Sequence, residues 1–169
     1  GNFKQALTSL EESNRIIDER GLRSHQLVRP RQGLAEAYLV AAERSEGAGR
    51  AITLGKAKRA CRAALKPCKY FRGGFPGAMR LQGTYEWLTG RPSAAQKWWQ
   101  RSLAVAEELG ARYDLGLTYL EMGRRLGQPE HVQRAEAIFA EIGATLDLGI
   151  ARQSFAATAT SAHSPLPSE

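Results

Sequence analysis

The stretch Leu81-Gln82-Gly83-Thr84-Tyr85-Glu86-Trp87-Leu88-Thr89-Gly90-Arg91-Pro92-Ser93-Ala94-Ala95-Gln96-Lys97-Trp98-Trp99 decides the fold. It reads as the end of one helix, a tight turn and the start of a second. Gly90 falls where the apolar period of the first segment stops, a natural helix C-terminus. Pro92 falls in the first turn of the second segment, where its missing N–H costs nothing. Gly83 and Ala95 are the small residues of the two helices, and Trp99 follows Ala95 by four residues, on the same face. Two helices cross closely only where one side chain is small, so an aromatic from the second helix fills the next gap.

The same punctuation recurs on both sides. Upstream, Phe3, Ala6, Leu7, Leu10, Ser13 and Ile17 repeat at spacings of three and four, one face of a helix over about 2–20 that stops at Gly21. A second helix is predicted at about 26–44, followed by a loop over 45–49. A third is predicted at about 51–66, with Ala57, Ala60, Cys61, Ala64 and Leu65 on one side and Pro67 as its terminator. Residues 71–77 carry turn chemistry. Further helices are predicted at about 77–89, 92–109, 111–126, 130–142 and 145–155, with Gly90, Gly110, Gly127 and Gly143 between them.

Composition points the same way. The 169 residues include 26 Ala and 19 Leu against 4 Val and 6 Ile. Ala and Leu lose little in a helix, whereas β-branched residues favour strands, so sandwiches, barrels and βαβ folds are excluded. Hydrophobic residues make up 43% and charged residues 24%, an ordinary balance for a soluble domain. No run of 18 apolar residues is present, so no membrane span is expected. No signal peptide is visible, and two cysteines cannot form a disulfide framework. A cytoplasmic setting is therefore expected. Residues 156–169, rich in Ala, Ser, Thr and Pro, read as a flexible tail. A chain that opens in mid-helix and ends in a tail reads as a piece of something larger.

Helices of similar length on short turns call for a repeat check. The early small residues of alternate helices are Gly33, Gly83 and Gly116, and the last two are 33 apart. The unit after the best one supplies Gly116, Tyr119, Ala135 and Phe139, with about seven extra residues between its helices. One pair leaves an apolar face bare, so neighbours must stack. On these residues the chain resembles a tetratricopeptide-repeat array over about residues 2–155. The early Trp and late Pro of the consensus are absent from the best unit, and the spacing from Gly33 to Gly83 is stretched to 50. The segments 109–116 and 134–144 narrow the likeness to the C-terminal repeat region of large bacterial signalling ATPases, cyclases and kinases.

The resemblance implies an all-α, right-handed superhelix of stacked antiparallel helix pairs, about seven or eight helices in one repeat domain over 1–155. It implies a non-catalytic scaffold arm that binds a protein or peptide in a concave groove. Carried over by position, the groove residues are Arg80, Thr84, Trp87, Tyr113, Leu117 and Leu120. The Lys/Asn set that clamps a C-terminal carboxylate in some members is not recognisable.

Charge supplies a second candidate surface. Residues 50–101 hold twelve Lys or Arg against one acid, Glu86, a local charge of +11 within a chain of +7. Lys58, Arg59, Arg62, Lys66 and Lys69 fall on the polar side of the third helix and just beyond it. Such a face selects an acidic partner, or serves only solubility. Nucleic-acid or other polyanion binding through this segment is the alternative, weakened because interleaved aromatics are lacking. Self-association is a further option. His25, His131 and His163 are scattered, so no metal site is expected. Cys61 and Cys68, two helical turns apart, read as small core-lining thiols rather than a redox pair. Gly47-Ala48-Gly49-Arg50 lacks the Lys-Ser/Thr of a phosphate loop. No catalytic set and no cofactor are expected. Trp98 and Trp99 are expected in the core, and Trp87 on the groove.

Overall fold

Helix-favouring composition is realised along the chain. A computed structural model describes residues 2–22 and 24–161, with side chains to 154. Eight α-helices form among the described residues: α1 Asn2–Glu19, α2 Val28–Glu43, α3 Gly47–Leu65, α4 Phe75–Leu88, α5 Pro92–Glu108, α6 Arg112–Leu126, α7 Pro129–Glu141 and α8 Thr145–Ser161. Short 3₁₀ turns occupy His25–Leu27, Pro67–Lys69 and Arg72–Gly74, and no strand forms among the described residues. The architecture is all-α.

The helix boundaries follow local chemistry. Gly127 ends α6 in the left-handed conformation, φ 65°, and its N–H bonds the Gly123 carbonyl. Gly90 is also left-handed after α4, at φ 74°, and its N–H bonds the Trp87 carbonyl. Pro76, Pro92 and Pro129 each stand in the first turn of a helix, where no intrahelical donor is missed. Three stretches differ from the sequence reading. The loop expected over 45–49 is shorter, because α3 begins at Gly47. The turn expected over 71–77 is a 3₁₀ turn that runs directly into α4 at Phe75. The backbone of α8 continues to Ser161, past the boundary drawn at 155, and the rest of the tail, 162–169, lies outside the described residues.

The chain divides into two compact units, residues 1–102 and 103–169, with the division falling within α5. In the first, α2 packs along α3, and their shared core holds Ala35, Tyr38, Leu39, Ala57, Ala60, Cys61, Leu81 and Tyr85. A satellite cluster of Ala64, Cys68 and Ala78 closes the far end. Polar contacts tie α1 to α2. Tyr38 donates to Glu11, Asn14 donates to the Pro30 carbonyl, and Arg31 donates to Asp18. Moving seven residues forward along α1 from Glu11 to Asp18 moves the partner seven residues back along α2, so the two helices run antiparallel.

The hairpin of α4 and α5 is set by one close approach. A Cβ added to Gly83 would lie 2.4 Å from Trp99 Nε1, so the indole rests directly on helix backbone. Trp99 is fully buried and donates its indole N–H to the Arg80 carbonyl at 3.2 Å. Ser102 donates to the Pro76 carbonyl at 2.8 Å, one turn on along α5 and one turn back along α4. The close approach expected at Gly83 is present, and the aromatic sits over the glycine itself. Ala95 is fully buried.

The second unit repeats the device. A Cβ on Gly116 would lie 2.6 Å from Phe139, and one on Gly123 would lie 2.5 Å from Val132. The second contact is seven residues later on α6 and seven earlier on α7, again antiparallel. Leu115, Tyr119, Leu120, Val132, Ala135, Ile138, Phe139 and Ala151 form the core of this unit. The first alternate helix departs from the alignment. A Cβ added to Gly33 would lie 3.3 Å from Leu10 of the preceding helix α1, so Gly33 does not take the place of Gly83 and Gly116. Ala35, fully buried two residues later, has their spacing: Ala35, Tyr38 and Leu39 parallel Gly116, Tyr119 and Leu120. The stretch between the first two alternate helices comes from the 19 residues of α3 and the two 3₁₀ turns after it.

Two glycine substitutions separate packing from propensity. Gly83→Ala drives a methyl into Trp99 and is expected to destabilise by about 1–3 kcal/mol, typical of overpacking. Gly55→Ala, in the interior of α3 with open space around it, is expected to stabilise by about 0.5–1 kcal/mol. Urea unfolding of the two variants beside the parent chain measures both; equal effects of one sign contradict the seat at Gly83.

Candidate functional site

The basic surface is built by the period of one helix. Along α3, Ala57, Ala60, Cys61 and Ala64 turn inward, and the 100° step per residue turns Lys58, Arg59, Arg62 and Lys66 outward. Pro67 cannot continue the helix, and the 3₁₀ turn that follows carries Lys69, also exposed. All five cations are exposed, and none makes an ion pair among the described residues. Elsewhere in this unit some cations are matched: Arg15 bonds Glu12 and Glu19, Arg31 bonds Asp18 at 2.7 Å, Arg80 bonds Glu36 at 3.2 Å, and Arg91 bonds Glu86 at 2.7 Å. Lys58, Arg62 and Lys66 stand at successive i, i+4 positions. Such like pairs cost a few tenths of a kcal/mol, on the order of 0.2–0.5 each.

The groove residues carried over from the resemblance fall in both units. In the first, Arg80 has only 11% of its side chain exposed and holds Glu36, while its Nε is buried without a partner among the described residues. Thr84 is buried, with its hydroxyl on the Arg80 carbonyl. Trp87 is half-buried, its ring 5.9 Å from that of Trp99. In the second, Tyr113 is exposed, rests 6.2 Å from Phe139 and bonds Asp147. Leu117 packs at the edge of the core, and Leu120 lies within it. Thr84 and Leu120 are therefore core residues, and surface area remains at Trp87, Tyr113 and Leu117. The reason is that α4 and α6 are enclosed on several sides: five consecutive residues, Leu81–Tyr85, are buried in α4. Trp98, expected in the core with Trp99, is half-exposed and stacks under Arg101.

A cleft that the sequence reading missed lies beside the basic face, wholly within the first unit. Its floor is α2, with Arg31, Leu34 and Tyr38 at spacings of three and four. Its α1 wall carries Asn14, Ile17 and Asp18. Its third wall carries Lys56, Arg59 and Ala63 of α3 and Lys66 just after it, again spaced three, four and three. At one end, past Asp18 and Arg31, it adjoins an open pocket of about 320 Å³, where Leu22, Leu27, Pro67, Tyr70 and Phe71 supply apolar walls. The signal available in the sequence was the three-four-three spacing of Lys56, Arg59, Ala63 and Lys66, followed at once by Tyr70-Phe71.

The two thiols do not form part of this surface. Cys61 and Cys68 are free and fully buried. Burial pushes the Cys61 thiol up to about 12, with Glu86 adding to the shift, and the Cys68 thiol up to about 11. Both stay protonated at neutral pH and are poor nucleophiles. Among the described residues no group of three His, Cys, Asp or Glu is placed to hold a metal ion, and no helix is long and apolar enough to cross a membrane. No family model, characterised protein or solved structure matches this chain.

The buried thiols give a pH dependence. Both titrate higher in the folded chain than in the unfolded one, so the folded state holds the extra protons. Their contribution is complete below the unfolded thiol value and is lost as pH rises through the folded one. Stability is expected to fall from about pH 9 upward, by at most about 1.4 kcal/mol per pH unit for each thiol. Denaturant titrations between pH 8 and 11 check this, and the double variant Cys61→Ala, Cys68→Ala is expected to flatten the decline.

Proposed function

We propose that this chain is a tetratricopeptide-like protein-interaction module, an arm of a larger bacterial signalling protein, and that it captures an acidic protein segment. The observation that carries the reading is the set Lys58, Arg59, Arg62, Lys66 and Lys69, exposed together and without ion pairs among the described residues. Complementary charge speeds encounter and selects between partners more than it adds affinity. An acidic segment laid along α3 would relieve the repulsion at the i, i+4 positions, so binding and the strain of the free surface are one electrostatic effect. The glycine–aromatic seats at Gly83 and Gly116 support the repeat assignment, since each brings two helix backbones together in the manner a stacked array requires. Nothing in the reading calls for catalysis or a cofactor, and a cytoplasmic location agrees with two free, buried thiols.

Charge reversal tests it. A fluorescein-labelled polyglutamate peptide is expected to bind the chain at low salt. The triple variant Lys58→Glu, Arg62→Glu, Lys66→Glu is expected to weaken it at least about tenfold, roughly 1.4 kcal/mol, with unchanged helical circular dichroism. Unchanged binding by the variant contradicts the reading. A gel shift with mixed DNA and RNA at two salt concentrations tests the polyanion alternative. Retention tighter than that of the peptide, falling steeply with salt, turns the assignment to nucleic acid.

A further inference from the structure

We infer that the cleft over α2 is the seat of the captured segment, and that it takes a bulky apolar side chain flanked by carboxylates. This rests on the acidic-partner reading above and adds to it the side chain that anchors the partner. The pocket at the end of the cleft has a volume of about 320 Å³, room enough for one large side chain. Its walls are apolar on both sides, and they are open. Leu22 is 47% exposed and Tyr70 is 74% exposed, while Ile17 at the base is buried. Large apolar side chains left open around a concave site are what a hydrophobic anchor covers.

The charges around the pocket fix the rest of the ligand. Lys66 belongs both to the pocket and to the unpaired basic face, and it makes no ion pair among the described residues. On the opposite lip Asp18 is already bound to Arg31 at 2.7 Å. A carboxylate beside the anchor therefore turns toward α3, to Lys66. The next unpaired cation along the cleft is Arg59, seven residues back on α3. Seven helical residues span about 10 Å, the reach of about three residues of extended chain. A second acid about three residues from the anchor meets it. Lys56 is already engaged with Glu11 at 3.6 Å. The open apolar walls of Leu22, Leu27 and Pro67 give a buried side chain something to cover and a phosphate backbone nothing, so a peptide is the better occupant than a nucleic acid.

Fluorescence anisotropy with three labelled peptides tests this. One carries a tryptophan, an adjacent glutamate and a second glutamate three residues away. In the second, alanine replaces the tryptophan; in the third, glutamine replaces both glutamates. The tryptophan peptide is expected to bind about tenfold tighter than either control. The double variant Leu22→Ser, Tyr70→Ala, which changes two exposed side chains, is expected to abolish the advantage over the alanine peptide and to leave the alanine peptide's own affinity unchanged. The variant Arg59→Glu, Lys66→Glu is expected to weaken both acidic peptides. Equal binding of the tryptophan and alanine peptides overturns the pocket, as does an advantage that survives Leu22→Ser, Tyr70→Ala. If both acidic peptides bind equally and both are lost on charge reversal at Lys58, Arg62 and Lys66, the acidic-partner reading stands while the anchor falls.

Discussion

The contact of an aromatic ring with helix backbone at a glycine governs this molecule. Trp99 sits on Gly83 and Phe139 on Gly116, each so close that no side chain fits between them. The ring gains contact with peptide atoms that a β-carbon would otherwise shield, and each aromatic becomes fully buried. Register follows from this. Once Trp99 is seated, its indole N–H reaches the Arg80 carbonyl and Ser102 reaches the Pro76 carbonyl. Once Phe139 is seated, Val132 falls against Gly123. Glycine in a helix interior costs about 1 kcal/mol relative to alanine, and the seat offsets that cost.

Much of this was legible at particular residues. Gly83, Gly90, Pro92, Ala95 and Trp99 announced a hairpin, and the hairpin formed with those residues in those places. Gly33 was misread because a glycine says that something comes close without saying what. Its neighbour is Leu10 of the helix before, not a residue of the helix after. The early start of α3 was hidden by Gly47 and Gly49, whose poor helix propensity is outweighed by the packing of the rest of that helix against α2. Thr84 and Leu120 were given to a surface because periodicity marks the centre of a buried stripe and not its width. In α4 and α6 the stripe is wide, since neighbours cover these helices on several sides.

The basic face was legible for a simple reason. Lysine and arginine at 58, 59, 62, 66 and 69 with no acid among them can only crowd one side of a helix and the turn after it. The cleft beside that face was not. Its walls come from α1, α2, α3 and the turn after Pro67, and its pocket is shaped by residues as far apart as Ile17 and Phe71. A local pattern shows which residues share a face but not which distant segment leaves a gap next to it. Asn14, buried and donating to the Pro30 carbonyl, helps hold the α1 wall in place, yet nothing in its sequence setting distinguishes it from a solvent-facing asparagine.

A double-mutant cycle across the first seat tests the central claim most directly. Stability is measured for the parent chain, Gly83→Ala, Trp99→Leu and the pair. If the indole rests on the glycine backbone, the smaller leucine makes room for the new methyl. The pair is then less damaged than the two single changes together, with a coupling of about 1–3 kcal/mol. Strict additivity, within about 0.5 kcal/mol, places the two residues out of contact and contradicts the account.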